Sequence, residues 1–165
     1  MTDNIYNTPE AELVDEQNND NMLASRGRRF SASMIDGFTI MVITIPTMYF
    51  TGGFEGIAEG QQNSLEYNLL IGILGIIIFV VLNINILRKY GQTIGKKILG
   101  IKIVDLNGKL PNIKNHFLKR YATYFIPGQI PIAGQLFSVI NILFIFGKQK
   151  RCLHDYIAGT KVVKK

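Results

Sequence analysis

Tryptophan is absent, cysteine occurs once and histidine twice in these 165 residues. The lone Cys152 excludes an intramolecular disulfide and a cysteine-built metal cage. His116 and His154 by themselves make no metal-ligand spacing, so no metal and no cofactor is expected. Charge is scarce, at 18% of residues against about 25% in an ordinary soluble domain. Five prolines and sixteen glycines, with no internal repeat, exclude collagenous and low-complexity classes. The length allows one domain. A water-soluble enzyme of ordinary composition is excluded, and the expectation is a small membrane protein without catalytic residues.

Two apolar runs carry that expectation. Phe30 to Phe50 has a single charge, Asp36, and Leu69 to Leu87 has none. A bilayer core needs about 20 helical residues, so both read as transmembrane helices. A third apolar region, Tyr121 to Phe146, is broken by Pro127-Gly128 and Pro131. It reads as a short helical hairpin, with an amphipathic limb near Asn112 to Ile126 and a longer apolar limb near Ala133 to Phe146. Residues 1 to 28 read as a separate acidic arm, disordered, with six carboxylates between Asp3 and Asp20 and no apolar stretch of signal-peptide type. Residues 29 to 165 form the membrane domain.

Charge placement gives the topology. The loop Thr51 to Asn68 holds three glutamates and no Lys or Arg, whereas Arg88 to Arg120 holds nine basic residues and the tail after Phe146 six. The positive-inside rule puts the middle segment and both termini in the cytoplasm, with an even number of passes. On that side ILGIKIVD (Ile98 to Asp105) and TKVV (Thr160 to Val163) are β-prone and read as one small sheet. Asn107-Gly108 carries a type I′ turn signal. The class is therefore an all-α membrane protein with a small cytoplasmic β element.

A carboxylate inside a membrane helix costs about 2.5–3.5 kcal/mol on insertion scales. Asp36 is read either as paired with an arginine, orienting helices, or as a proton or cation site. Arg29 shares its helix face, with Ala32, Ser33 and Gly37 beside it. Arg120 and Arg151 are the basic partners expected from other segments, and Asp155 is expected to join the same polar cluster. Asn83, Asn85 and Asn141 suit interhelical hydrogen bonds. Gly91 to Lys97 (GQTIGKK) fails as a phosphate loop on glycine spacing and on the missing hydroxyl after lysine. It reads as a flexible basic segment whose Lys96 and Lys97, with Lys102, meet anionic lipid headgroups. His154-Asp155 lacks a traceable nucleophile, and no nucleic-acid motif accompanies the basic patches.

RRFSASMID (Arg28 to Asp36), GQTIGKKILGIKIVDLNGKLP (Gly91 to Pro111), Arg120 and RCLHDYIAGTKVV (Arg151 to Val163) together resemble the RDD family of small bacterial membrane proteins. Its naming arginine and two aspartates fall on Arg29, Asp36 and Asp155. The resemblance spans residues 24 to 163. It implies a multi-pass protein of the bacterial cytoplasmic membrane, and similar proteins have been linked to sodium–proton exchange and to salt or osmotic tolerance. The hairpin after Arg120 is short, which leaves little room for a transport pathway within one chain. Two functions are therefore expected in parallel. One is cation or proton transport by a homo-oligomer. The other is a non-catalytic membrane accessory or scaffold that binds lipid or forms a subunit of a membrane complex.

Overall fold

The computed structural model describes residues 22–56, 59–130, 133–147 and 149–165. The disorder expected for residues 1–21 lies outside them. Residues 22–28, read above as the end of the arm, belong to the fold: Leu23 bridges Val163 and Ala24 is 1% exposed.

Helix α1 runs from Arg26 to Phe50, opened by Ser25, whose hydroxyl accepts the Arg28 N–H at 3.3 Å. Helix α2, Leu65–Tyr90, is opened in the same way by Ser64 on Tyr67. Such caps satisfy donors that the first helical turn leaves free. Glu66 in the first turn of α2 and Arg88 and Lys89 in its last complement the helix dipole. Both helices extend a few residues beyond the apolar runs at each polar end, except that α1 stops at Phe50. Only 11% and 17% of their apolar stretches are buried. A core helix of a soluble protein would hide most of that surface, so these faces are built for lipid.

Gly91 ends α2 with φ +66°, and a Cβ there would meet the Ile103 carbonyl oxygen at 2.5 Å. The chain then forms a one-turn helix, α3 (Ile94–Ile98), capped by Thr93, and strand β1 (Ile101–Asp105). The expected flexible basic segment is thus an ordered, capped turn. Strand β1 pairs antiparallel with β2 (Thr160–Lys164), Ile103 opposite Val162, as the two β-prone runs led one to expect. Ile101, Ile103 and Val162 face inward and cluster with Ala24, Ala32, Leu87 and Phe117. Each such aliphatic side chain contributes about 1.5–3 kcal/mol by leaving water. This core binds the sheet to one end of α1 and α2.

The type I′ expectation fails. Gly108 has φ +79°, but Asn107 does not have the positive φ that the first central position would need. Asp105 instead organises the turn, its Oδ1 accepting the Lys109 N–H at 2.8 Å. No adjacent strand follows, because β1 takes its partner from the far end of the chain.

The hairpin forms as expected. A π-helical turn, Ile113–Phe117, leads into helix α4 (Leu118–Phe125), a 3-10 turn at Pro127–Gln129, and helix α5 (Ala133–Leu143), which tightens into a 3-10 turn at Phe144–Phe146. Phe79 of α2 packs on Tyr121 and Phe125, with ring centroids at 4.9 and 5.1 Å. The tip reaches Gly72, where a Cβ would come within 1.8 Å of Gln129 Oε1. Gly72 is fifteen residues from Leu87, which packs in the sheet core, so the tip lies roughly 22 Å along α2 from the sheet end. Both limbs return to that end: Arg26 donates to the carbonyls of Ile145 and Phe146 at 3.1 and 3.3 Å. A last short helix, α6 (Leu153–Ile157), precedes β2.

Candidate functional site

Where the helix ends meet the sheet, the structure gathers seven buried Arg, Lys, His and Asp side chains from α1, α3, α4 and α6 and the segment before α6. Asp155 stands at the centre of the first cluster and is 0% exposed. Its Oδ2 accepts from the Arg29 guanidinium and from the Cys152 N–H at 3.1 Å, and its Oδ1 accepts from the Arg120 guanidinium. Arg120 also donates to Thr160 Oγ1 at 2.8 Å, and Arg29 to the Lys150 carbonyl and, at 3.3 Å, to Cys152 Sγ. Two guanidiniums on one carboxylate leave neither oxygen free, which is the arrangement a buried ion needs to offset its desolvation. The same Oδ2 bond closes the capping box of α6, so the carboxylate both pairs charges and starts a helix.

Arg151, expected to pair with a carboxylate, pairs with none among the described residues. It donates to the main-chain carbonyls of Thr160 at 2.9 Å and Asp155 at 3.0 Å, and lies over the Tyr156 ring at 4.2 Å. It ties α6 to β2 rather than neutralising an acid.

Asp36 makes the second cluster, and its partners differ from those expected. Its Oδ1 accepts the Gly95 N–H at 2.7 Å, its Oδ2 accepts the Thr93 hydroxyl at 2.5 Å, and Lys96 Nζ lies 3.7 Å from Oδ2. Neither Arg120 nor Arg151 bonds it among the described residues. Lys96, expected at lipid headgroups, is only 8% exposed and turns inward to Asp36. Its neighbour Lys97 is exposed, over the Tyr90 ring at 5.8 Å, and Lys102 is half-buried on the sheet. Burial pushes the Lys96 ammonium down to about 8, against the pull of Asp36 and with Arg120 and Arg29 adding to the drop. Burial also lowers the Arg120 guanidinium, to about 10.

Close approach makes the Asp36 cluster. A Cβ on Gly95 would sit 2.1 Å from the Ala32 carbonyl oxygen and 3.1 Å from Asp36 Cγ. Only glycine lets α3 come this near α1. Ala32, one turn before Asp36, is fully buried against it. Two amides lock neighbouring pieces: Asn83 Oδ1 accepts the Ile94 N–H at 2.8 Å, and Asn141 Oδ1 accepts from the His154 N–H at 3.0 Å and pairs with its Nδ1 at 2.9 Å. Asn85 is exposed. Burial holds His154 well below the ordinary imidazole range, with Arg120, Arg29 and Lys96 reinforcing the drop.

Cys152, His154 and Asp155 bring ligand-type atoms within 4.8 Å of one another. The donor set does not suit a metal, because both oxygens of Asp155 are engaged by guanidiniums and the Cys152 sulfur also accepts from Arg29. A metal ion would enter a site where Asp155 already faces two guanidiniums.

Thr93, Gly95, Cys152 and Thr160 were not singled out from the sequence as partners of these charges. The threonine directly before a short basic–apolar run is a helix-cap signature and marked α3.

The fold and these clusters define a class: a small helical membrane protein whose helix ends are clasped by a buried arginine–aspartate network beneath a two-stranded sheet. The chain belongs to the RDD family, whose model matches residues 23–159. An uncharacterized protein of Haemophilus influenzae is 27% identical over 141 residues, covering 86% of this chain and 78% of that protein. The uncharacterized protein YxaI of Bacillus subtilis is 29% identical over 150 residues, covering 83% of this chain and 94% of its own. No solved structure matches with significance.

Proposed function

We propose that this chain is a non-catalytic, multi-pass module of the bacterial cytoplasmic membrane, working as an accessory or scaffold subunit rather than as a carrier. Both termini and the sheet face the cytoplasm in this reading, lipid surrounds the apolar helices, and the chain assembles with copies of itself or with a larger membrane complex. Nucleic acid is not a partner. The observation that carries the proposal is the saturation of Asp155, wholly buried with two guanidiniums and a backbone N–H on its oxygens. A group that must bind and release a cation needs a vacant ligand position, and here the positions are filled by the chain itself. The family's named charges then serve as a clasp that fixes helix ends to the sheet.

One observation favours a second reading, proton-coupled cation exchange. Lys96 and Asp36 form a buried ammonium–carboxylate pair in which burial lowers the lysine from its ordinary 10.5 to about 8. The experiment is reconstitution of the full chain in liposomes with a trapped pH-sensitive dye, with sodium, potassium or no added salt. The accessory reading expects no cation-dependent proton flux above that of empty vesicles. Flux that depends on sodium or potassium and disappears in Asp36→Asn, with the fold intact, overturns it in favour of exchange.

A further inference from the structure

Two open clefts lie side by side on the sheet, of about 310 and 270 Å³, and share Lys102, Val104 and Gly108. The first is also lined by Lys161 and Lys164, the second by Lys89 and Lys165. Five lysines thus surround one surface, and no Asp or Glu lines either cleft. Cross-strand pairing explains the crowding: Lys102 stands opposite Val163 and Val104 opposite Lys161, so both lysines stand on the outer face of the sheet beside Val104 and Val163, which are themselves buried. Like charges brought together this way repel, and an anionic partner relieves them.

The chain supplies such a partner. Residues 1–21 hold six carboxylates and no Lys or Arg. Met22 and Leu23, which follow directly, themselves line the first cleft. The bridge of Leu23 to Val163 is antiparallel, so the backbone traced back from Leu23 heads toward Lys164 and Lys165. Asp20, Glu16 and Asp15 lie within seven residues of Met22, a reach of about 23 Å when extended, against about 17 Å for a five-residue strand. A short tether also raises the local concentration of the acidic groups to the millimolar range.

We infer that the lysine-lined outer face of the sheet is the docking surface for the acidic segment 1–21 of the same chain. The segment covers a face that would otherwise attract other polyanions, anionic lipid surfaces included.

The test uses the full chain in nanodiscs of zwitterionic lipid, treated with a water-soluble carbodiimide, which joins carboxylates to lysines only in direct contact. Mass spectrometry should find Asp15, Glu16 or Asp20 linked to Lys102, Lys161 or Lys164 at least fivefold more often than to Lys114 or Lys119, which lie outside both clefts. Linking should fall to the Lys114 and Lys119 level in 1 M salt, where the screening length drops to about 3 Å. In the triple variant Asp15→Asn, Glu16→Gln, Asp20→Asn, binding to phosphatidylglycerol vesicles should rise severalfold while that of a Lys102→Gln, Lys161→Gln version of it should not. Equal linking to all lysines overturns the inference. So do links found only between protomers in a mixture of isotope-labelled and unlabelled chains, or a wild-type chain that loses the links when anionic lipid replaces zwitterionic lipid.

Discussion

Replacing Asp155 by asparagine removes one charge and almost no volume, so its effect reports on the clasp alone. The carboxylate has two guanidiniums on its two oxygens and a third donor, the Cys152 N–H, at 3.1 Å. An amide has one oxygen. If that oxygen faces Arg120, its NH₂ points at Arg29 and at the Cys152 N–H, donor against donor, and the capping box of α6 opens. If it faces Arg29, Arg120 is left with Thr160 alone. Either orientation strands a buried guanidinium, and removing one partner of a buried ion pair costs about 3–5 kcal/mol. That is a large share of the 5–15 kcal/mol typical of a domain. For a chain of this size it corresponds to a fall in Tm on the order of 10 °C. The measurement is thermal unfolding in detergent micelles followed by far-ultraviolet circular dichroism, because the chain has no tryptophan to report fluorescence. Combining the change with Arg120→Gln should cost clearly less than the sum of the two singles, with a coupling of at least about 1.5 kcal/mol, since the second change removes the charge that the first had stranded. A Tm shift under about 2 °C, with additive singles, would show that Asp155 carries no structural load, and the accessory reading would lose its foundation.

The two long helices were legible because an apolar run of bilayer length with almost no charge has few other uses, and helix faces left bare by the fold agree with it. Pairing of β1 with β2 was legible from β-branched runs on the same side of the charge pattern, although the 54 residues between Asp105 and Thr160 say nothing about register. The partners of the charges were not legible. Lys96 and Lys97 are adjacent and chemically identical, and only the turn of a five-residue helix sends one to Asp36 and the other to solvent. Arg151 sits four residues before Asp155, the spacing of a helical ion pair, yet it precedes the helix and so meets carbonyls instead. Gly95 looked like part of a flexible glycine–lysine stretch. Its role depends on the distance between α3 and Ala32, a tertiary quantity that no local pattern encodes. The asparagine–glycine turn misled because its strong local preference concerns two adjacent strands, and here one strand's partner is remote.

Three further outcomes follow from the same geometry. Gly95→Ala should destabilise the chain by about 3 kcal/mol or more in micelle unfolding, because its Cβ drives α3 off Ala32 and stretches the bond to Asp36; an unchanged Tm would mean α3 is not held against α1. Asn141→Leu should cost about 2 kcal/mol, since it leaves the buried His154 N–H without an acceptor, and a histidine whose NMR titration is unaltered by the change would contradict that pairing. The third concerns pH. Burial lowers Lys96 from its ordinary 10.5 to about 8, so between those values the unfolded chain holds a proton that the folded chain has released. Stability contributed by this group must therefore rise as pH rises through that window, and stay flat below about 8 where both states are protonated. The limiting slope for one proton is about 1.4 kcal/mol per pH unit. Lys96→Met removes the proton from both states, so unfolding free energies of the two proteins, compared from pH 7 to 10, should run parallel at first and then diverge in favour of the wild type. All other lysines cancel in that difference. Curves that stay parallel up to pH 10 would place Lys96 in water, as the lipid-headgroup assignment had it, and would dissolve its pairing with Asp36.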